Sequence, residues 1–171
     1  MVRRGVDPWA VAEQVYETQS ALRLRLLGRV LDSLEVSAGG KVACITTMRS
    51  DLREFGAGKD ALEGFINYPR SIVGVEVAVS IREEEGLFRV SFRSKGRVDV
   101  SAVAARFGGG GHRNAAGCSI EGTLADVKKI AAAAEAAPPR ELERQAYDER
   151  DTAVIQALQG SMEVTSRPYD K

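Results

Sequence analysis

The sequence predicts an α/β fold: a mixed sheet of four to five strands flanked by helices, with a helical pair at the N-terminus. Two patterns carry that reading. Apolar residues at helical spacing and short runs of period-two alternation take turns along the chain, and glycine-bearing links separate them. A third observation bounds the fold, because Pro138-Pro139 closes the compact part and the sequence beyond is more charged and less apolar. The chain divides accordingly into a helical connector and packing helices (1–35), a sheet domain (36–137), and a C-terminal helix with a disordered tail (138–171). At 171 residues a folded chain buries roughly 70% of its extended surface, enough for one ordinary core.

Asp7-Pro8 is a helix start, with Asp as N-cap and Pro at the first helical position. Val11, Ala12, Val15 and Tyr16 continue it to about Thr18. Ser20 opens a second helix, ALRLRLLGRVLDSLEV, in which Leu24, Leu27, Leu31 and Leu34 form one row and Leu22, Leu26 and Val30 a neighbouring one. That arc is wider than a single flanking sheet needs; it reads as a buried core helix, or as a face shared with another domain or subunit. KVACITT then alternates as a strand after Gly39-Gly40. Residues 48–68 read as helical with a break at Gly56-Ala57-Gly58, and Pro69 disfavours a helical Tyr68.

The clearest strands follow. GVEVAVSIR sends Val75, Val77, Val79 and Ile81 to one face, and LFRVSFRSK does the same with Phe88, Val90 and Phe92. A four-residue link, Glu83–Gly86, predicts a hairpin with Arg82 opposite Leu87 and Glu76 opposite Arg93. Asp99 caps a third helix carrying Val100, Val103, Ala104 and Phe107, and Gly108 terminates it. AAGCSIEG reads as a strand with Ala116, Cys118 and Ile120 on one face. Thr123 and Asp126 then form a capping-box pattern for a helix through Ala134.

Composition excludes several classes of function. Basic and acidic side chains balance at 24 each, so any phosphate site must be a local concentration of charge. The start, MVRRGVDPWAV, lacks the apolar core of a secretory signal, and no window is long and apolar enough for a membrane span. Cys44 and Cys118 fit no disulfide framework, which points to a reducing, cytoplasmic setting. His112 is the only histidine, and no Asp/His/Cys cluster has metal-ligand spacing.

The most informative segment is Arg106-Phe-Gly108-Gly109-Gly110-Gly111-His112-Arg113-Asn114-Ala115-Ala116-Gly117. Consecutive glycines are costly in conformational entropy and suit places where backbone must approach something closely. Their bare N–H groups can form an anion-receiving concavity, to which His112 adds a donor and Arg113 a fixed charge. A flexible linker is the bland alternative, and the Ala-Ala-Gly that follows argues against slack. The run follows a helix, so it is not a dinucleotide fingerprint, and it lacks the Lys-Ser/Thr of a P-loop. The second feature is a basic face of Arg89, Arg93 and Lys95, continued by Arg97, suited to phosphate through bidentate guanidinium contacts. Its bland alternative is a solvated hairpin face with Arg93 paired to Glu76, a contact of only ~0–1 kcal/mol.

Phe92-Arg93-Ser94-Lys95, Val98-Asp99-Val100, and Gly108–His112 with Ala115-Ala116-Gly117 resemble the DHH-associated domain, the C-terminal half of DHH-family phosphoesterases. Gly64-Phe65-Ile66-Asn67-Tyr68-Pro69-Arg70-Ser71 and Val75–Val79 bring the resemblance closer to the bacterial nano-RNase (oligoribonuclease) and pAp-phosphatase branch than to the RecJ exonucleases. It spans about Asp7 to Glu135. The resemblance implies a division of labour. A separate DHH domain, absent from this sequence, holds two metal ions, typically manganese, while the present domain grips short RNA, single-stranded DNA or nucleoside phosphates such as pAp across a cleft. It further implies that Gly109, Gly110, Gly111 and His112 hold phosphate, that Arg93 and Lys95 line the same cleft, and that Arg113 and Asn67 assist. No catalytic group is expected in this chain.

Two other functions compete with that expectation. One is a non-catalytic interaction or homodimerisation module, like the related domain at the end of alanyl-tRNA synthetases, with the leucine arc as its working surface. The other is a self-sufficient enzyme using His112 as general base. This needs a carboxylate within hydrogen-bonding reach, and the sequence nominates none.

Overall fold

The computed structural model of the chain describes residues 7–37 and 39–137. The C-terminal helix and tail expected beyond Pro138 lie outside the described residues. Asp7 accepts a hydrogen bond from the Trp9 N–H at 2.9 Å and starts α1, Pro8–Tyr16. Ser20 accepts from the Arg23 N–H at 3.2 Å and starts α2, Ala21–Leu31.

Helix α2 ends earlier than its apolar repeat suggests. Ser33 Oγ stands 2.6 Å from the Val30 carbonyl and 2.9 Å from that of Thr46, either of which can take its one proton, and it accepts from the Thr46 N–H at 2.8 Å. The hydroxyl thus offers the chain an alternative to continuing the helix, as serine does at helix ends. Leu34 lies outside the helix, and Glu35–Val36 becomes β1, an edge strand antiparallel to β2, Val42–Thr47. All six residues of β2 are buried, because the strand is covered on both faces. Next come α3 (Arg49–Glu54), a 3-10 turn (Lys59–Leu62) and α4 (Asn67–Ser71). Helix α4 corrects the expectation that Pro69 bars a helix here. Pro69 occupies the first turn, where no intrahelical N–H is required, and it is buried.

Strands β3 (Val77–Glu83) and β4 (Phe88–Ser94) form the expected hairpin, with a shifted register. Glu83 faces Phe88, Arg82 faces Arg89, and Ala78 rather than Glu76 faces Arg93. The four-residue link is Glu84–Leu87, closed by the Glu84 N–H on the Leu87 carbonyl at 2.8 Å. The slip amounts to two residues across the pair, so every side chain keeps its predicted face. Helix α5 (Val100–Ala105) is capped by Asp99, which accepts from the N–H groups of Ser101 and Ala102. Gly109 N–H closes the helix on the Ala104 carbonyl, and Gly108 adopts φ +70°. The glycine run then enters β5 (Gly110–His112), which hairpins into β6 (Ala115–Ile120), and α6 (Leu124–Glu135) follows.

The sheet is mixed and has six strands in the order β1-β2-β3-β4-β6-β5, with β2 and β3 the parallel pair. The sheet thus has one strand more than the upper expectation, and the strands that the sequence did not delineate are the short edges β1 and β5. One face carries the main core, where Val79, Ile81, Val90 and Phe92 meet Val100 and Val103 of α5 and Val127 and Ile130 of α6. The other face carries a smaller cluster of Leu26, Leu27 and Val30 of α2 on Ile45 of β2, with Phe65 beside them. That second layer leaves β4, β6 and β5 open, with Arg89, Ser91 and Ser119 exposed.

Candidate functional site

The open part of the sheet brings together two of the phosphate candidates, Arg93 and His112, with Gly110 in the adjoining row. Directly opposed residues of antiparallel strands share a face, so the pairings place side chains in rows. Ala78, Arg93, Ala115 and His112 form one row across β3, β4, β6 and β5. Ser80, Ser91, Gly117 and Gly110 form the next, and Arg82, Arg89 and Ser119 a third. Arg93 and His112, 19 positions apart in the sequence, thus stand on one face, two strand spacings or about 10 Å apart. A cavity of about 410 Å³ opens over β3 and β4, floored by Ser80, Arg82, Arg89, Ser91 and Arg93. The 3-10 turn and the Gly64–Ile66 segment wall it.

The glycines divide by role. A Cβ on Gly109 would lie 2.2 Å from the Gly117 carbonyl oxygen, and one on Gly111, at φ +141°, 2.6 Å from that of Ala115. These two are glycines because β5 lies hard against β6. Gly110 has open space where its Cβ would be, so packing does not demand a glycine there. It is exposed, and it lies two residues from His112 on the same strand. The exposed part of the glycine run is thus Gly110–His112, on an edge strand instead of a loop.

The other candidates are distributed unevenly. Arg93 is half-buried and donates to the Phe92 carbonyl at 3.0 Å. Lys95 sends its ammonium to the Ile72 carbonyl at 3.0 Å, tying the end of β4 to the segment after α4. Arg113 lies in the β5–β6 turn and donates to the Gly96 carbonyl at 3.1 Å, while its own carbonyl accepts from Val100 N–H. Both therefore brace the hairpin ends. Asn67 begins α4 with its amide nitrogen near Gly64; Gly64 lines the cavity, and Asn67 does not. Arg97 leaves the basic face: it reaches Glu76 at 3.6 Å, taking the carboxylate that had been expected to pair with Arg93. Arg82, Lys59 and the serine row were missed as site residues. The alternation of GVEVAVSIR, which placed Ser80 and Arg82 on the face of Arg93 once the hairpin was drawn, was the signal for those two; no pattern in the sequence brings Lys59 to the cavity.

Neither cysteine is suited to nucleophilic work, since burial pushes the Cys44 thiol up to about 12 and raises that of Cys118. Among the described residues no group of three or more His, Cys, Asp or Glu side chains could hold a metal ion. The described residues therefore do not fit the manganese pair of a DHH site. No helix among them is long and apolar enough to cross a membrane.

Residues 37–137 match the model of the DHHA1 domain. The chain belongs to this family. It is similar to the bifunctional oligoribonuclease and PAP phosphatase NrnA of Thermus thermophilus, 33% identical over 98 residues, which cover 57% of this chain and 29% of that protein. To the enzyme of the same name from Bacillus subtilis it is 32% identical over 107 residues, 63% of this chain and 33% of that one. The chain therefore spans about a third of the length of these relatives. The solved structure of an exopolyphosphatase-related protein from Bacteroides fragilis superposes with a TM-score of 0.71 at 34% identity, covering 78% of this chain and 39% of that one. A DHHA1 domain with relatives of this type marks the chain as part of the DHH phosphoesterase family.

Proposed function

We propose that this domain captures short RNA or nucleoside phosphates such as pAp for hydrolysis by a separate DHH domain that carries manganese. The single observation behind the proposal is the row that sets Arg93 and His112 on one open face, with the side-chain-free Gly110 next to it. A guanidinium, an imidazole donor and unshielded backbone can together receive the oxygens of one phosphate. The names of the curated relatives support the same substrate class. Titration calorimetry with pAp and a dinucleotide tests it. Weak binding should fall as salt rises, and the His112→Ala/Arg93→Ala double variant should abolish it with the melting curve intact. Binding that survives the double variant refutes the proposal.

A second reading keeps its place because of the N-terminal helices. Trp9, Val11, Leu22 and Leu24 are large apolar residues about half exposed or more. Such a surface suits docking to a DHH domain or to a second copy of this chain. Sedimentation of the Leu22→Ser/Leu24→Ser variant separates the readings: altered assembly with unchanged nucleotide binding favours the interaction module.

A further inference from the structure

The floor of the cleft holds more positive charge than one phosphate needs. Arg82 and Arg89 are directly opposed across β3 and β4, a placement that brings Cβ atoms to roughly 5 Å and is destabilising for like charges. Both line the cavity that also contains Arg93. Each is restrained sideways. Arg82 pairs with Glu84 in the hairpin link, and Arg89 donates to Ser119 Oγ on β6 at 2.7 Å. A guanidinium has five N–H donors, so both keep donors for another acceptor. Arg89 and Arg93 are four residues apart on β4, which at the rise of a strand is about 13 Å. That separation leaves room for two phosphates, one at each row, over the same cavity.

We propose that Arg82 and Arg89 form a second anion subsite, which takes the terminal phosphate of a short oligonucleotide whose internal phosphate sits at Arg93 and His112. The proposal rests on the reading of the cleft given above and extends it from phosphate binding to recognition of a phosphorylated chain end. The cavity volume of about 410 Å³ has room for nucleoside between the two anions. Lys59 stands on the wall, as do Asp60 and Glu63. The positive charge is thus concentrated on the floor, which orients the ligand's phosphates toward the sheet. Glu84 is the counter-ion of the subsite, a carboxylate on Arg82 whose negative charge opposes an incoming phosphate.

The test titrates the full chain with ApApA, pApApA and ApApAp at fixed salt. One of the phosphorylated trinucleotides should bind on the order of tenfold tighter than ApApA, the size of one or two charge-assisted hydrogen bonds. In Arg89→Gln that ratio should collapse toward one, and in Glu84→Gln it should widen, with melting curves close to that of the parent chain. A ratio near one for the parent chain sinks the subsite, as does one that survives Arg89→Gln. Equal weakening of all three ligands by Arg89→Gln sinks it too, since that is general attraction. Failure of every trinucleotide to bind the parent chain removes the reading of the whole cleft, and the subsite with it.

Discussion

At the scale of single residues, three adjacent glycines do different things. Gly109 and Gly111 answer to packing, since a Cβ on either would drive into the backbone of β6. Gly110 answers to nothing inside the molecule. Gly111→Ala should lower stability by about 1–3 kcal/mol, from overpacking and a strained φ, read as an earlier urea midpoint. Gly110→Ala should move that midpoint by no more than about 1 kcal/mol yet weaken pAp binding, because a methyl group then stands where phosphate oxygens approach. The sequence singled out the segment but could not sort its members. A run of four glycines has no internal pattern, and only the pairing of β5 with β6 reveals which ones are pressed and which is open. Arg113 was hidden by the same limit. The sequence places a cation beside His112, and only the fold shows that one of its nitrogens is tied to the Gly96 carbonyl.

At the scale of elements, local chemistry that points one way was readable and local chemistry in competition was not. The caps at Asp7, Ser20 and Asp99 stand where the sequence puts them, because each is a short polar side chain before an apolar repeat. The end of α2 was misplaced because its leucine repeat runs on through Leu34, while Ser33 draws the chain to β2 through Thr46. Ser33→Ala should therefore cost about 1–3 kcal/mol, since the Thr46 N–H loses its acceptor in a largely covered place; denaturant unfolding measures it. At the start of α6, Lys129 and the Thr123 hydroxyl hold the Asp126 carboxyl down to about 2 from its ordinary 3.8. A depressed folded value means stabilisation that is present above the ordinary value and lost as pH falls toward about 2. Asp126→Asn should flatten the acid side of the helical dichroism profile between those limits. The group is exposed, so the effect should shrink with added salt.

For the whole molecule, two helical layers of unequal reach explain why there is a cleft at all. Helices α5 and α6 cover the apolar face, whereas the layer around α2 stops at Phe65 and the 3-10 turn. The polar ends of β4, β5 and β6 remain bare. Trp9 and Val11 of α1 and Leu22 and Leu24 of α2 are exposed as well, so the molecule carries two open surfaces of opposite chemistry. Trp9 is the only tryptophan and is 69% exposed, which makes it a reporter for one surface and not the other. Saturating the cleft with pAp should leave its emission red and unchanged. Addition of a DHH domain that docks on the helices should shift the emission to the blue and shield it from iodide, since docking buries the indole. A blue shift caused by nucleotide alone would mean that the two surfaces are coupled, and that α1 folds back toward the cleft when substrate binds.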